Sequence, residues 1–255
     1  MRRLGQDVVA SEEAVLSVIL IQVRDLDDQM IEHERMCISR RIDGAPFRVH
    51  NAIGEDLKPE YLDGATGVII GGSGEYGVND VASQVWLPRL RALLEEALKR
   101  EIPGFGVCFG HQLLGLHLGG TVETSPTHAE IGTVEFTLTE EGESDPVFGQ
   151  LPQQFKGQTG HSDSVTVIPE GVTRLAGSAK LNNQAFKVDG LPFYSAQFHP
   201  DLLGEEARYR YLAYEATMTS RAERGEGEVD LFIPGEDDAA VLLGAFVAHA
   251  NSMGA

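Results

Sequence analysis

Two rhythms of apolar residues run through the first half of the chain. Residues 15–23 form a largely apolar run rich in Val, Ile and Leu. The run is too short for a helix buried on all sides, so it predicts a strand covered on both faces, as parallel sheets require. Residues 47–53 and 65–70 predict two further strands, the second running straight into Gly71-Gly72-Ser73-Gly74. Residues 27–41 are polar and mildly amphipathic and predict the first helix. Across residues 83–101 the rhythm changes. Trp86, Leu87, Leu90, Leu93, Leu94, Ala97 and Leu98 recur at intervals of three and four, which marks one face of a helix. Pro88 is tolerated only near a helix start, so regular helix is expected from about Trp86. Pro103 stops it. Residues 104–107 read as a short fourth strand, and Leu113, Leu114, Leu116 and Leu118 predict a helix closed by Gly119-Gly120.

The second half is richer in strand signals. Residues 121–125, 132–139, 164–168 and 191–198 carry β-branched or alternating apolar positions with Gly, Pro and Asp between them. Helices are expected over 204–219 and 237–251, with the charged, Gly-containing stretch 220–236 between them as a surface loop. Strands alternating with helices predict an α/β fold, an open and mostly parallel sheet with helices on both faces. The later strands are expected to extend it antiparallel. No shift in composition marks a linker, so residues 15–255 are read as one domain behind a polar N-terminal arm, residues 1–14.

Charge narrows the function classes. Lys and Arg number 20 against 39 Asp and Glu, a net charge of −19 in 255 residues. Phosphate affinity needs clustered cations, so a nucleic-acid binder is not expected, nor docking on an anionic membrane surface. The two cysteines cannot build a disulfide framework. There is no apolar run of membrane-spanning length, and the N-terminus lacks the apolar core of a secretory signal. The expectation is a soluble cytoplasmic protein. No metal or cofactor is expected. Zinc-finger spacing and a P-loop are both missing, and the acids Asp25, Asp27 and Asp28 are followed by no Gly-turned calcium loop.

The candidate chemistry centres on Gly106-Val-Cys108-Phe-Gly110, at the junction of a predicted strand and a predicted helix. A sharp strand-to-helix turn holds its junction residue in a strained conformation and needs small neighbours. The thiol is then presented at the carboxyl end of the sheet, where open α/β folds bind ligands. The helix N-terminus adds positive potential at the sulfur, and the amide of Phe109 is placed to bind an oxyanion. Against this stands the alternative that Cys108 is one more inert core cysteine; Cys37, in a polar helical stretch, is read that way. A thiol nucleophile needs a base, and among eight histidines His199 stands out, in Gln197-Phe-His199-Pro-Asp201 after a predicted strand. Residues two apart in extended chain point the same way, so Asp201 can orient the imidazole. Gly72-Ser-Gly74-Glu-Tyr-Gly77 also satisfies G-x-G-x-x-G. It follows the third strand rather than the first, and Glu95 and Glu96 lie within a helix, so dinucleotide binding is set aside.

Taken together these segments resemble the class I (triad) glutamine amidotransferases, in particular the GMP-synthetase-like subgroup. The resemblance rests on Gly106-Val-Cys108-Phe-Gly110-His-Gln112, His199-Pro-Asp201, the glycine-rich Ile69-Ile-Gly-Gly72-Ser-Gly74, Glu130-Ile-Gly132, and His161-Ser-Asp-Ser-Val165. It spans about residues 15 to 220 in matching order. It implies a flavodoxin-like fold and hydrolysis of the γ-amide of glutamine, or of another γ-glutamyl amide. Cys108 would form a thioester, with His199 and Asp201 completing a triad. The amides of Gly72 and Phe109 would form the oxyanion hole. Gln112 and the stretch His161, Ser162 and Asp163 would line the substrate pocket. One departure is plain: the family's usual glutamate is here Asp201, shorter by one methylene, and Glu205 or Glu206 stands close by in sequence. The chain beyond such a unit is too short for a synthetase, so ammonia would pass to a separate synthetase chain or the protein would act alone. A γ-glutamyl peptidase and a catalytically silent regulatory module are the competing readings.

Overall fold

The structure is a computed structural model that describes residues 16–221 and 231–253. The predicted arm and residues 222–230 of the predicted loop lie outside the described residues. The first half runs β1 (Ser17–Gln22), α1 (Met30–Arg41), β2 (Phe47–Asn51), β3 (Ala65–Ile70), α2 (Leu87–Lys99), β4 (Gly104–Val107) and α3 (Phe109–His117). All six residues of β1 are buried, the polar Ser17 and Gln22 at its ends included. Val18 and Leu20 join one core layer with Ile38 of α1 and with Leu242 and Phe246 near the C-terminus. Ile19 and Ile21 join the opposite layer, with Leu90 and Leu94 of α2 and Leu113 and Leu114 of α3. The sheet therefore has helices on both faces. The helix expected from residue 27 starts at Met30, whose amide is taken by the Asp28 carboxylate at 2.7 Å. A 3₁₀ turn (Ala82–Val85) precedes α2, which places Pro88 in its first turn.

The second half runs β5 (Thr121–Thr124), β6 (Glu130–Leu138), α4 (Glu140–Ser144), β7 (Gln154–His161), β8 (Asp163–Val167), β9 (Val172–Ser178), β10 (Ala185–Val188), β11 (Phe193–Ala196), α5 (Gly204–Arg221) and α6 (Leu242–Met253). The nine-stranded sheet has the order β2-β1-β3-β4-β11-β10-β9-β6-β7, and β5 pairs with β8 separately. Strands β2, β1, β3, β4 and β11 are parallel to one another; from β10 onward the sheet is extended antiparallel. Strands β7, β9 and β10 and the single-turn α4 carry no clear pattern in sequence. Strand β7, QFKGQTGH, has two glycines and little alternation, and lies at the end of the sheet. Part of the predicted loop departs from expectation. Residues 220 and 221 continue α5, and Phe232 is buried against the ring of Tyr211.

Strand β4 lies between β3 and β11. All three run the same way, so the segments that leave their carboxyl ends emerge side by side. These are the glycine loop after Ile70, the Cys108 junction after Val107, and the His199 segment after Ala196. The topology alone brings three distant stretches of sequence to one edge.

Candidate active site

Strand β4 passes into α3 with only Cys108 between them, at φ 48° and ψ −96°. A non-glycine residue held there stores about 1–3 kcal/mol of backbone strain, which the surroundings must enforce. The Cys108 amide donates to the Ala196 carbonyl at 2.8 Å, and its carbonyl accepts from the Gln112 amide at 3.0 Å. The small flanking residues are required by contact. A Cβ on Gly106 would sit 2.6 Å from the Gly110 carbonyl oxygen, and one on Gly110 would strike the carbonyl oxygen of Ile70.

His199 is fixed through its backbone and its ring. Its amide donates to the Gln158 carbonyl at 2.8 Å, tying it to β7, and its Nδ1 lies 2.9 Å from Asp201 Oδ1. The other edge of the ring faces the sulfur-bearing residue. A Cβ built on Gly72 would lie 3.6 Å from both His199 Nε2 and Cys108 Cβ, and 2.8 Å from His199 Cε1. Gly72 thus allows its backbone to close over the gap between imidazole and cysteine. Phe109, the other predicted oxyanion donor, opens α3 directly after Cys108.

The charges around the imidazole are unequal. Burial alone would lower the His199 pKa, but the Asp201 carboxylate, with a smaller contribution from Cys108, raises it to about 9. Burial likewise opposes ionisation of Asp201. The Arg210 guanidinium and then His199 overcome it and hold the carboxyl well below the usual carboxylate range. Arg210 Nη1 lies 2.9 Å from Asp201 Oδ2, with both side chains buried. Each oxygen of Asp201 therefore has its own cation. Arg210 carries no motif signal; it reaches the site because α5 packs back beside the segment that it follows. Of the alternative carboxylates, Glu206 is engaged elsewhere, with Arg40 and Arg41 of α1.

A cleft opens beside Cys108, with Gln112, His161, Ser162 and Asp163 in its wall together with Tyr76. Ser162 is the hinge between β7 and β8. The Asp163 side chain accepts from Thr124 at 2.7 Å, so Asp163 meets the cleft largely through its backbone. The Gln112 amide nitrogen donates to the Asp163 carbonyl at 2.9 Å and to Gln197 Oε1 at 3.3 Å, which leaves its Oε1 as an acceptor. Gln197 also approaches Cys108, with Nε2 3.6 Å from Sγ. Behind the wall, His161 Nε2 lies 3.5 Å from the buried Glu130 carboxylate, which Ser178 and Gln184 also engage. His111 is fully buried and its pKa is lowered to about 3, by burial first and by His161 second; it stays neutral against Ser195. Burial pushes the Cys37 thiol up to about 12. Among the described residues no cluster of His, Cys, Asp and Glu is placed to hold a metal ion, and no helix is long and apolar enough to cross a membrane.

Comparison with known proteins follows the same pattern. The model of the family "Glutamine amidotransferase class-I" matches residues 29–217. A glutamine-hydrolyzing GMP synthase subunit from Thermococcus kodakarensis is 35% identical over 115 residues, 45% of this chain; the match spans only 59% of that protein. A Saccharomyces cerevisiae chain named provisionally as a glutamine amidotransferase is 31% identical over 81% of this chain and 83% of its own length. The crystal structure of a Thermotoga maritima glutamine amidotransferase superposes with a TM-score of 0.71 at 24% identity, covering 92% of this chain and 98% of that one. With most of its length inside the family model, this chain belongs to the class-I glutamine amidotransferases.

Proposed function

We propose that the chain hydrolyses the γ-amide of glutamine through a thioester on Cys108. The observation that carries this reading is the placement of one imidazole. His199 faces Cys108 with one edge and holds Asp201 with the other. In the first step the Cys108 sulfur, its proton taken by His199, bonds to the γ-carbonyl carbon and the C–N bond breaks. The departing nitrogen takes its proton from His199. Asp201 orients the ring and stabilises its charged form, and Arg210 keeps Asp201 ionised. The carbonyl oxygen, negative in the tetrahedral intermediate, is met by the amides of Gly72 and Phe109. Water, activated by the now neutral His199, then attacks the thioester, releasing glutamate and restoring the thiol. Gln112 Oε1, as an acceptor, suits the α-ammonium of the substrate, and the backbone of 161–163 its remaining polar atoms.

The Thermococcus relative, named as a subunit of a glutamine-hydrolyzing GMP synthase, supports an ammonia-supplying role. The test has two arms. A diazo-ketone analogue of glutamine is expected to label Cys108, and Cys108→Ala to abolish both labelling and ammonia release, the latter by roughly 10³-fold or more. A silent regulatory module predicts no labelling at all. Full activity in Cys108→Ala would overturn the mechanism.

A further inference from the structure

The segment that leaves β11 sends two side chains to Cys108. Phe198 packs into the aromatic core, its ring 4.6 Å from that of Phe136 and 5.5 Å from that of Phe155. The residues on either side of it face the cysteine. One is His199, the base. The other is Gln197, fully buried, with its backbone amide donating to the Gln184 carbonyl at 2.8 Å and its Nε2 3.6 Å from Cys108 Sγ. The steps described above give Gln197 no task.

Its neighbours fix which way the Gln197 amide points. The Asp163 carbonyl can only accept, so Gln112 presents Nε2 to it, at 2.9 Å. The same nitrogen faces Gln197 at 3.3 Å, so Gln197 must offer Oε1 there. That leaves the NH₂ of Gln197 for the sulfur. Donation therefore runs from Gln112 to Gln197 and from Gln197 to Cys108, and all three side chains are buried. A neutral thiol accepts weakly. An ionised sulfur accepts strongly, the more so when buried.

We infer that Gln197 is a catalytic residue whose N–H holds the Cys108 sulfur while it carries negative charge. The inference rests on the Cys108–His199 mechanism above. Gln197 transfers no atom. The thiol proton passes to His199, and the charge left on sulfur is met by the Gln197 N–H. The bond weakens when sulfur joins the γ-carbonyl carbon and loses that charge. It returns when the thioester is cleaved and the sulfur leaves, and a better-stabilised thiolate leaves faster.

Iodoacetamide tests this without glutamine, since it alkylates the thiolate. Cys37 is buried and its thiol is pushed up to about 12, so alkylation followed by mass spectrometry should read Cys108. Gln197→Met and Gln197→Leu both remove the donor but pack differently. Both leave in place the other titratable groups around the sulfur, namely His199 with Asp201 behind it and, across the cleft, Tyr76, His161 and Asp163. Each variant is expected to be alkylated roughly fivefold more slowly than native protein at pH 6.5. At pH 9.5 each should match or exceed the native rate, because a thiolate formed without the donor is the stronger nucleophile. With glutamine, kcat is expected to fall roughly fivefold and KM to stay within about twofold, because Gln112 keeps its bond to Asp163. Equal alkylation of native protein and variants at pH 6.5 would overturn the inference. So would the same proportional loss at both pH values, the mark of a purely structural residue, or a fall in kcat/KM carried by KM. Absence of ammonia release from glutamine by native protein, with the alkylation pattern intact, would instead overturn the glutaminase reading.

Discussion

Asp201 shows how one substituted residue is accommodated. The shorter carboxylate reaches His199 Nδ1 at 2.9 Å because its other oxygen is anchored by Arg210. Removing one partner of a buried pair leaves an uncompensated charge, at a cost of about 3–5 kcal/mol. Arg210→Met is therefore expected to shift the urea midpoint strongly downward and reduce glutaminase activity, whereas Arg210→Lys recovers part of both. Equal midpoints for native protein and Arg210→Met would show that the pair contributes nothing. His199 makes a second prediction, in pH. Its folded pKa, about 9, lies above the usual 6.5. The stability it contributes is thus fully present below about pH 6.5 and lost as pH rises through about 9. The stability gap between native protein and His199→Gln, from urea titrations across pH 6–10, should shrink along that interval. A parallel alkaline fall in kcat/KM near pH 9 is expected, since the proton lost is the one that the departing amine needs. A gap that widens with pH would contradict the assignment of the raised pKa. Cys108, His199 and Asp201 were legible as candidates because each sits in a short local motif that follows a strand end. Arg210, Arg24 and Gln197 were invisible in the sequence, since each matters only through contacts between elements.

At the level of elements the decisive piece is the β4–α3 junction. Glycines 106 and 110 are there because backbone occupies the space their side chains would need. Cys108 is there despite its conformation, held at φ 48° by hydrogen bonds to β11 and α3. A residue without Cβ at this position relieves that strain. Cys108→Gly is expected to be more stable than Cys108→Ala by about 1 kcal/mol, although Gly in ordinary chain is the poorer choice. Thermal unfolding of the two inactive variants measures this, and a less stable Gly variant would mean the junction is unstrained. The element pattern also explains what could be read early. Strands β1, β3 and β4 and helix α2 are buried on regular faces and so carry plain apolar rhythms. Strands β7, β9 and β10 are partly exposed, with glycine, lysine or arginine within them. Their place in the sheet is fixed by pairing, which no single strand's pattern records.

For the whole molecule, the candidate site draws on residues from Arg24 just after β1 to Tyr214 on α5, gathered where β1, β3, β4 and β11 end. No sub-fragment contains it, so activity should disappear with the fold in one step. The net charge of −19 bears on that fold directly. The excess carboxylates repel one another across the surface, and the repulsion weakens as the Debye length shrinks from about 30 Å at 0.01 M salt to about 8 Å at 0.15 M. The buried pairs that organise the site, Arg210–Asp201 and Arg24–Glu34, are screened far less, because solvent ions do not reach them. Added salt should therefore relieve surface repulsion and leave the site's own electrostatics largely intact. The melting temperature is expected to rise by a few degrees between 10 and 150 mM sodium chloride, roughly 1 kcal/mol at this size, with kcat for glutamine nearly constant. A melting temperature that falls with salt would mean that surface ion pairs, such as Arg100 with Asp63 and Glu96, outweigh the net repulsion.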